Sequence, residues 1–134
     1  MNSTATATID VSALTHNFSQ VRAMMPRKKI LAMIKSNAYG HGLILVARAF
    51  SSADALGVAT IAEALQLRQA GISHDIVVMR GFVTAEEMPL FFEDPHLIAC
   101  IHDSHQLQLL SQWHDEKKTL RIWLKADTGM HRLG

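Results

Sequence analysis

Two short stretches hold most of the residue types that could do chemistry. The first is Ala32-Met33-Ile34-Lys35-Ser36-Asn37-Ala38-Tyr39-Gly40-His41-Gly42. Here a lysine closes an apolar run and is followed at once by a polar, glycine-rich turn. In a partly desolvated setting such an amine is nucleophilic toward a carbonyl and can form a Schiff base. Once released, it can take a proton as a general base. The plain rival is a lysine at a strand end reaching for solvent. Tyr39 and the amides around Gly40 and Gly42 could hydrogen-bond a phosphate oxygen near a helix start, although turns use glycine freely. The second stretch is Leu124-Lys125-Ala126-Asp127-Thr128-Gly129-Met130-His131-Arg132-Leu133-Gly134. Its Arg132 could hold a carboxylate or phenolate oxygen with its guanidinium. A surface arginine is the rival there.

Positioning these groups requires elements, and the chain announces them. Leu14, Phe18, Val21 and Met25 recur at helical spacing, with Asp10 or Ser12 able to cap the start and Pro26 ending the helix. Short apolar runs follow at Ile30–Ile34, Ala55–Ala59, Ile76–Met79, Leu97–Ile101 and Ile122–Leu124, each too short for a helix and therefore read as strands. Thr60-Ile61-Ala62-Glu63 and Thr84-Ala85-Glu86-Glu87 both fit a capping box, and Asp103-Ser104-His105-Gln106 fits its looser form. Gly71 suits the residue just past a helix over Ile61–Ala70. Leu43, Val46, Ala47 and Phe50 form the stripe that packs a helix on a sheet.

The strand starts lie about 20 to 25 residues apart, one β-α unit each, as in parallel α/β folds. Nearly continuous apolar strands suit a sheet buried on both faces. An open doubly wound sheet and part of a (β/α)8 barrel both fit the periodicity. Strand parity puts Leu31, Met33 and Lys35 on one face and Ile30, Ala32 and Ile34 on the other. In a barrel the first set points inward, and Lys35 stands at the C-terminal mouth where barrel enzymes place their chemistry. Parity likewise groups Trp123 with Lys125 and Asp127. A complete barrel takes ~250 residues, so five strands in 134 residues make little more than half of one. With the sequence stopping just after the fifth strand, a truncated chain is expected.

Composition narrows the classes. Of the 134 residues 49% are hydrophobic and 19% charged, with a net charge of +1, which suits one compact domain and lacks the basic footprint of a nucleic-acid binder. Arg27-Lys28-Lys29 reads as a solvated loop. No apolar run approaches the ~20 residues of a membrane span. The first ten residues lack a secretory signal's basic and apolar regions, so a cytoplasmic protein without membrane or nucleic-acid partners is expected. The single cysteine, Cys100, lies in an apolar run and reads as a buried, inert thiol. Among the eight histidines, His102 and His105 are three positions apart without a third ligand at recognisable spacing, so no metal is expected. The seven methionines read as core filling.

Taken together, Ile34-Lys35-Ser36-Asn37-Ala38-Tyr39-Gly40-His41-Gly42 resembles the cofactor-attachment signature of the alanine racemase family, and Lys125 through Gly134 resembles a second block of it. Gly57-Val58-Ala59, Glu63-Ala64-Leu65 and Leu67-Arg68 agree more loosely. The likeness runs over essentially the whole chain but only the first part of the family's length. Amino-acid decarboxylases of the same barrel type share a lysine after the first strand but not the Asn-Ala-Tyr-Gly-His-Gly continuation. The resemblance implies an α/β fold, part of a (β/α)8 barrel of about five parallel strands preceded by a helix. Residues 1–134 would be the N-terminal part of a domain binding pyridoxal 5'-phosphate, with the rest of the barrel and a C-terminal β domain absent. It implies that Lys35 holds the cofactor through its amine. Displaced by alanine, Lys35 would act as the base on the side of Cα exposed in the D-enantiomer. Tyr39 would bond the cofactor phosphate, and Arg132 would lie near the phenolic oxygen and the substrate carboxylate. Lys125 matches a lysine often carbamylated in the family, an anion that could orient Arg132. His41 and His131 would sit beside the site. The implied reaction interconverts L- and D-alanine with two bases, for D-alanine supply to peptidoglycan or for alanine catabolism. In the family the opposite base is a tyrosine from the C-terminal domain of a second subunit of a homodimer. The partner of the pyridine nitrogen and most of the phosphate cup come from later segments. Tyr39 is the only tyrosine here, so the chain alone is expected to be inactive. A non-catalytic cofactor-binding barrel and a racemase of another amino acid are the rivals.

Overall fold

The computed structural model describes residues 5–113 and 118–134. Residues 1–4, part of the segment lacking a leader's pattern, lie outside the described residues. The element order is α1 (Val11–Met24), β1 (Leu31–Met33), α2 (Lys35–Tyr39), α3 (Leu43–Ala49), β2 (Ala55–Val58), α4 (Ile61–Gln69), β3 (Asp75–Val78), α5 (Met88–Glu93), β4 (Leu97–Ile101), α6 (Ser104–Ser111) and β5 (Ile122–Leu124). The five strands form one parallel sheet in the order β1-β2-β3-β4-β5. A doubly wound sheet reverses its strand order at a switch point. Here each strand pairs with the next, as around the wall of a (β/α)8 barrel, and the chain forms an arc of that fold.

The two faces of the sheet are chemically distinct. Ala32, Ile34, Leu56, Val58, Ile76, Val78, Leu97, Ala99 and Ile101 join the helix side chains in one apolar cluster. The other face carries Leu31, Met33, Gly57, Val77, Ile98 and Cys100, in line across the paired strands. Gly57 lies so close to Met33 that a Cβ there would touch the methionine's sulfur and methyl. This inward face bears the expected parity, with Lys35 following Met33. Cys100 is 2% exposed, and burial raises its thiol pKa, as expected of an inert cysteine. The outermost strand departs from the expected double burial. Ile122, Trp123 and Leu124 are 46%, 44% and 79% exposed, because among the described residues nothing pairs with the far edge of β5.

Local signals account for most helix ends. Asp10 caps α1, accepting from Ser12 N at 2.8 Å and Ala13 N at 3.1 Å. Phe18 is buried against Phe50, but Val21 faces solvent from within the helix, and Met25 lies exposed just past its end at Met24, before Pro26. Thr60 and Glu63 form the expected capping box of α4, and Gly71 takes φ +78° after it. The second expected box fails. α5 begins at Met88, and Glu87 turns back to accept from Val83 N at 2.8 Å. A helix begun at Ala85 would set the ring of Pro89 against the carbonyl four residues earlier, whereas Pro89 in the first turn is free of that clash. Asp103 caps α6, and Gln106, 1% exposed, donates to the carbonyls of Arg80 and Phe82 while accepting from His102 N. No helix among the described residues is long and apolar enough to cross a membrane.

Candidate active site

Lys35 leaves the sheet where β1 stops. Ile34 N still donates to Gly57 O at 2.8 Å, so Lys35 is anchored through its neighbour before the chain turns. The turn is left-handed. Ser36, Asn37, Ala38 and Tyr39 all have φ between 53° and 56°, and Gly40 follows at 89°. For L-residues this conformation costs ~1–2 kcal/mol each, least for Asn. The conformation persists only if its surroundings over-determine it.

They do so by hydrogen bonding. Ala38 N donates to Ile34 O at 2.8 Å, Gly40 N to Asn37 O at 3.0 Å, His41 N to Ala38 O at 3.1 Å and Gly42 N to Asn37 O at 3.0 Å. The Asn37 side chain accepts from Leu43 N at 2.8 Å and so caps α3. Ser36 N donates to the Glu63 carboxylate at 2.6 Å. Ala38 is 4% exposed and fastens the turn to the core, leaving Tyr39 60% exposed. The amides of Gly40 and Gly42, expected to be open to a phosphate oxygen, are therefore committed within the turn. His41 bonds Ala38 O through Nδ1 and lies to the side of the main cavity.

The second stretch is organised by Asp127. Its carboxylate accepts from Gly129 N at 2.8 Å and His131 N at 3.1 Å, and the His131 ring lies 3.1 Å away. Those amides, led by Gly129, lower the Asp127 pKa. His131 itself takes φ 55°. This loop brings Arg132 back over the strand ends, while Lys125 N extends the β4–β5 ladder by donating to Ile101 O at 2.9 Å.

A cavity of about 430 Å³ results, lined by Met33, Lys35, Tyr39, Ala59, Met79, Arg80, Lys125, Arg132 and Leu133. Such a volume suits a small organic ligand. Lys35, Tyr39, Lys125 and Arg132, singled out from sequence, all border it, at the C-terminal ends of β1 and β5. Ala59 and the Met79–Arg80 pair complete it from β2 and β3. Arg80 escaped the sequence reading, since a lone cation after a strand carries no pattern. Its nearest carboxylate partner is Glu87, at 4.0 Å. No lining residue is acidic. The polar lining is four cations and a phenol, a donor set for an anionic ligand.

Comparison with known proteins agrees with this fold. The family described as the alanine racemase N-terminal domain matches residues 9–134. An alanine racemase of Coxiella burnetii is 52% identical over 130 residues, covering 97% of this chain and 35% of that protein. The biosynthetic alanine racemase of Pseudomonas aeruginosa superposes with a TM-score of 0.84 at 35% identity, over 94% of this chain and 35% of its own. A histidine racemase from Leuconostoc mesenteroides superposes with a TM-score of 0.77 at 29% identity, over 92% of this chain and 34% of its own. The chain thus spans about a third of the length of the relatives it matches.

Proposed function

Because the chain belongs to the alanine racemase N-terminal domain family, we propose that it is the cofactor-bearing part of an amino-acid racemase that interconverts L- and D-alanine. The observation carrying this reading is the convergence of Lys35, Tyr39, Lys125 and Arg132 on one cavity without an acidic wall. Pyridoxal 5'-phosphate fits those residues, being an aldehyde with a dianionic phosphate and a phenolic oxygen. When bound, it delocalises the electron pair left at Cα as the proton departs.

The remaining work falls to the chain. Lys35 supplies the amine that holds the cofactor aldehyde and, once free, carries the proton to and from one side of Cα. Its mobility is confined to the side chain, because the backbone on both sides is bonded to Gly57 O and Glu63. Tyr39 offers its exposed hydroxyl to the phosphate. Arg132 opposes the phenolic oxygen and the substrate carboxylate, held by the Asp127 loop. Lys125, if carbamylated, would become an anion that orients Arg132. The second base, a tyrosine of another subunit, and the rest of the barrel with its β domain belong to segments outside these residues. The 134 residues alone are therefore inactive, and the active form is a cytoplasmic homodimer supplying D-alanine or degrading alanine.

The likeness to a histidine racemase favours a second reading of the substrate, since this portion of the fold is compatible with more than one amino acid. Full-length protein carrying this sequence, loaded with pyridoxal phosphate, is given L-alanine or L-histidine in deuterated water. Loss of optical activity with deuterium at Cα of alanine, abolished by Lys35→Ala, supports the first reading. Turnover of histidine in preference selects the second, and turnover of neither rejects both.

A further inference from the structure

We propose that Glu63 is the positioning residue that holds the left-handed turn after Lys35 and thereby aims Lys35 and Tyr39 into one cavity. The inference rests on the reading of Lys35 as the cofactor lysine and deepens it. Glu63 sits in the first turn of α4, where a capping-box glutamate needs to accept only from its own N-cap amide. Here it does more. One carboxylate oxygen, Oε2, accepts from Ala59 N at 2.8 Å and Thr60 N at 3.3 Å. The other, Oε1, reaches across to Ser36 N at 2.6 Å.

That distribution joins two pieces of the site. Ala59 lines the cavity from the end of β2, and Ser36 is the first left-handed residue after Lys35. The turn's other hydrogen bonds are made within residues 34–43, to their own carbonyls and to Asn37. The bond to Glu63 is what ties its first amide to a neighbouring β-α unit. An ionised acceptor is also the right group for this position, because such bonds are short and strong. Released from it, Ser36 is free to return to a right-handed or extended conformation. The Lys35 and Tyr39 side chains would then no longer share a wall.

The substitution Glu63→Gln is diagnostic. A carboxamide has one accepting oxygen, so it can serve Ser36 or the Ala59–Thr60 pair, and it sets an N–H donor against the amide left over. Thr60→Ala is the control, because it removes the other half of the capping box, in which Glu63 N donates to Thr60 Oγ1 at 3.4 Å, without touching Ser36. In full-length protein, pyridoxal phosphate is titrated by its absorbance, and the rate of borohydride-stable labelling at Lys35 is followed by peptide mapping.

For Glu63→Gln, affinity and labelling rate should each fall by about tenfold, the size expected for losing a charge-assisted bond, while Thr60→Ala stays within about twofold of wild type. Adding Ser36→Gly to Glu63→Gln should restore much of the loss, because glycine takes positive φ without steric cost. A merely structural cap would not be rescued that way. Equal effects of Glu63→Gln and Thr60→Ala, or no rescue by Ser36→Gly, overturn the inference. If Glu63→Gln does not fold, Glu63→Asp, shorter but still charged, replaces it. If neither folds, Glu63 acts on global stability and the inference fails. Wild-type protein that never labels at Lys35 refutes the cofactor reading, and this one with it. Normal wild-type labelling left unchanged by Glu63→Gln refutes this inference alone.

Discussion

At the N-terminal ends of the strands three arginines each meet a carboxylate, whereas at the C-terminal ends the cations of the cavity are left facing a shared space. Below the sheet, Arg22 pairs with Asp54 at 2.7 Å, Arg68 with Asp94 at 2.7 Å, and Arg121 with Asp75 in a bidentate contact at 2.7 and 2.9 Å. Each arginine also bonds at least one main-chain carbonyl, tying a helix end or strand start to its neighbour. Above it, Lys35, Lys125 and Arg132 have no carboxylate within 4.0 Å among the described residues, and the backbone after Lys35 runs left-handed. One end spends its charges on holding the arc together. The other keeps strain and unpaired charge, the pattern expected where a barrel separates stability from chemistry.

The two ends should respond oppositely to substitution. Lys35→Ala is expected to lower racemase activity of the full-length protein by more than roughly 10²–10⁴-fold, the range for losing a positioned base, because the cofactor anchor goes with it. Asp75→Asn is expected to do the reverse. It should leave cofactor capture unchanged and lower unfolding free energy by about 1–2 kcal/mol, a figure reduced for solvent screening because the pair is partly exposed. Denaturant titration checks the second and a racemisation assay the first.

Acid sharpens the same contrast. Hydrogen bonds from Arg121 are the main reason Asp75 titrates at about 2 rather than 3.8. A depressed carboxylate pKa gives stability that is complete above the unfolded value and lost as pH falls through the folded one. The unfolding midpoint should therefore drop between about pH 4 and about pH 2, and Asp75→Asn should flatten that fall.

Much of the arc was legible because its signals are local and repeated. The apolar runs coincide with the five strands, and the parity of Met33 and Lys35 held because a buried face forbids a one-residue slip. The Thr84 box misled because Pro89, five residues on, overrides it. The left-handed turn was hidden for a different reason. Of Ser36-Asn37-Ala38-Tyr39 only Asn is tolerant of positive φ, so nothing local reports a conformation held partly by Glu63 from the next β-α unit. Arg80 was invisible as a single cation, and its place in the cavity depends on β3 lying two strands from β1.

Two smaller effects refine the upper end. Asn37→Gly keeps a residue tolerant of positive φ but deletes the acceptor for Leu43 N. It should cost about 0.5–1 kcal/mol, the net contribution of one hydrogen bond and less than Asp75→Asn, in the same denaturant titration. Asp127→Asn should leave the melting temperature unchanged while weakening pyridoxal phosphate binding by about twofold to threefold, because the loop bearing Arg132 loses an ionised acceptor. An absorbance titration measures it.

The most direct test of the division between the two ends is where the aldehyde goes. Full-length protein is treated with substoichiometric pyridoxal phosphate, reduced with borohydride and mapped by peptide mass. Label should concentrate on Lys35 at the mouth, with Lys28 and Lys29 at the opposite end of β1 essentially unmodified. Label spread evenly over the lysines, or concentrated away from Lys35, would contradict it.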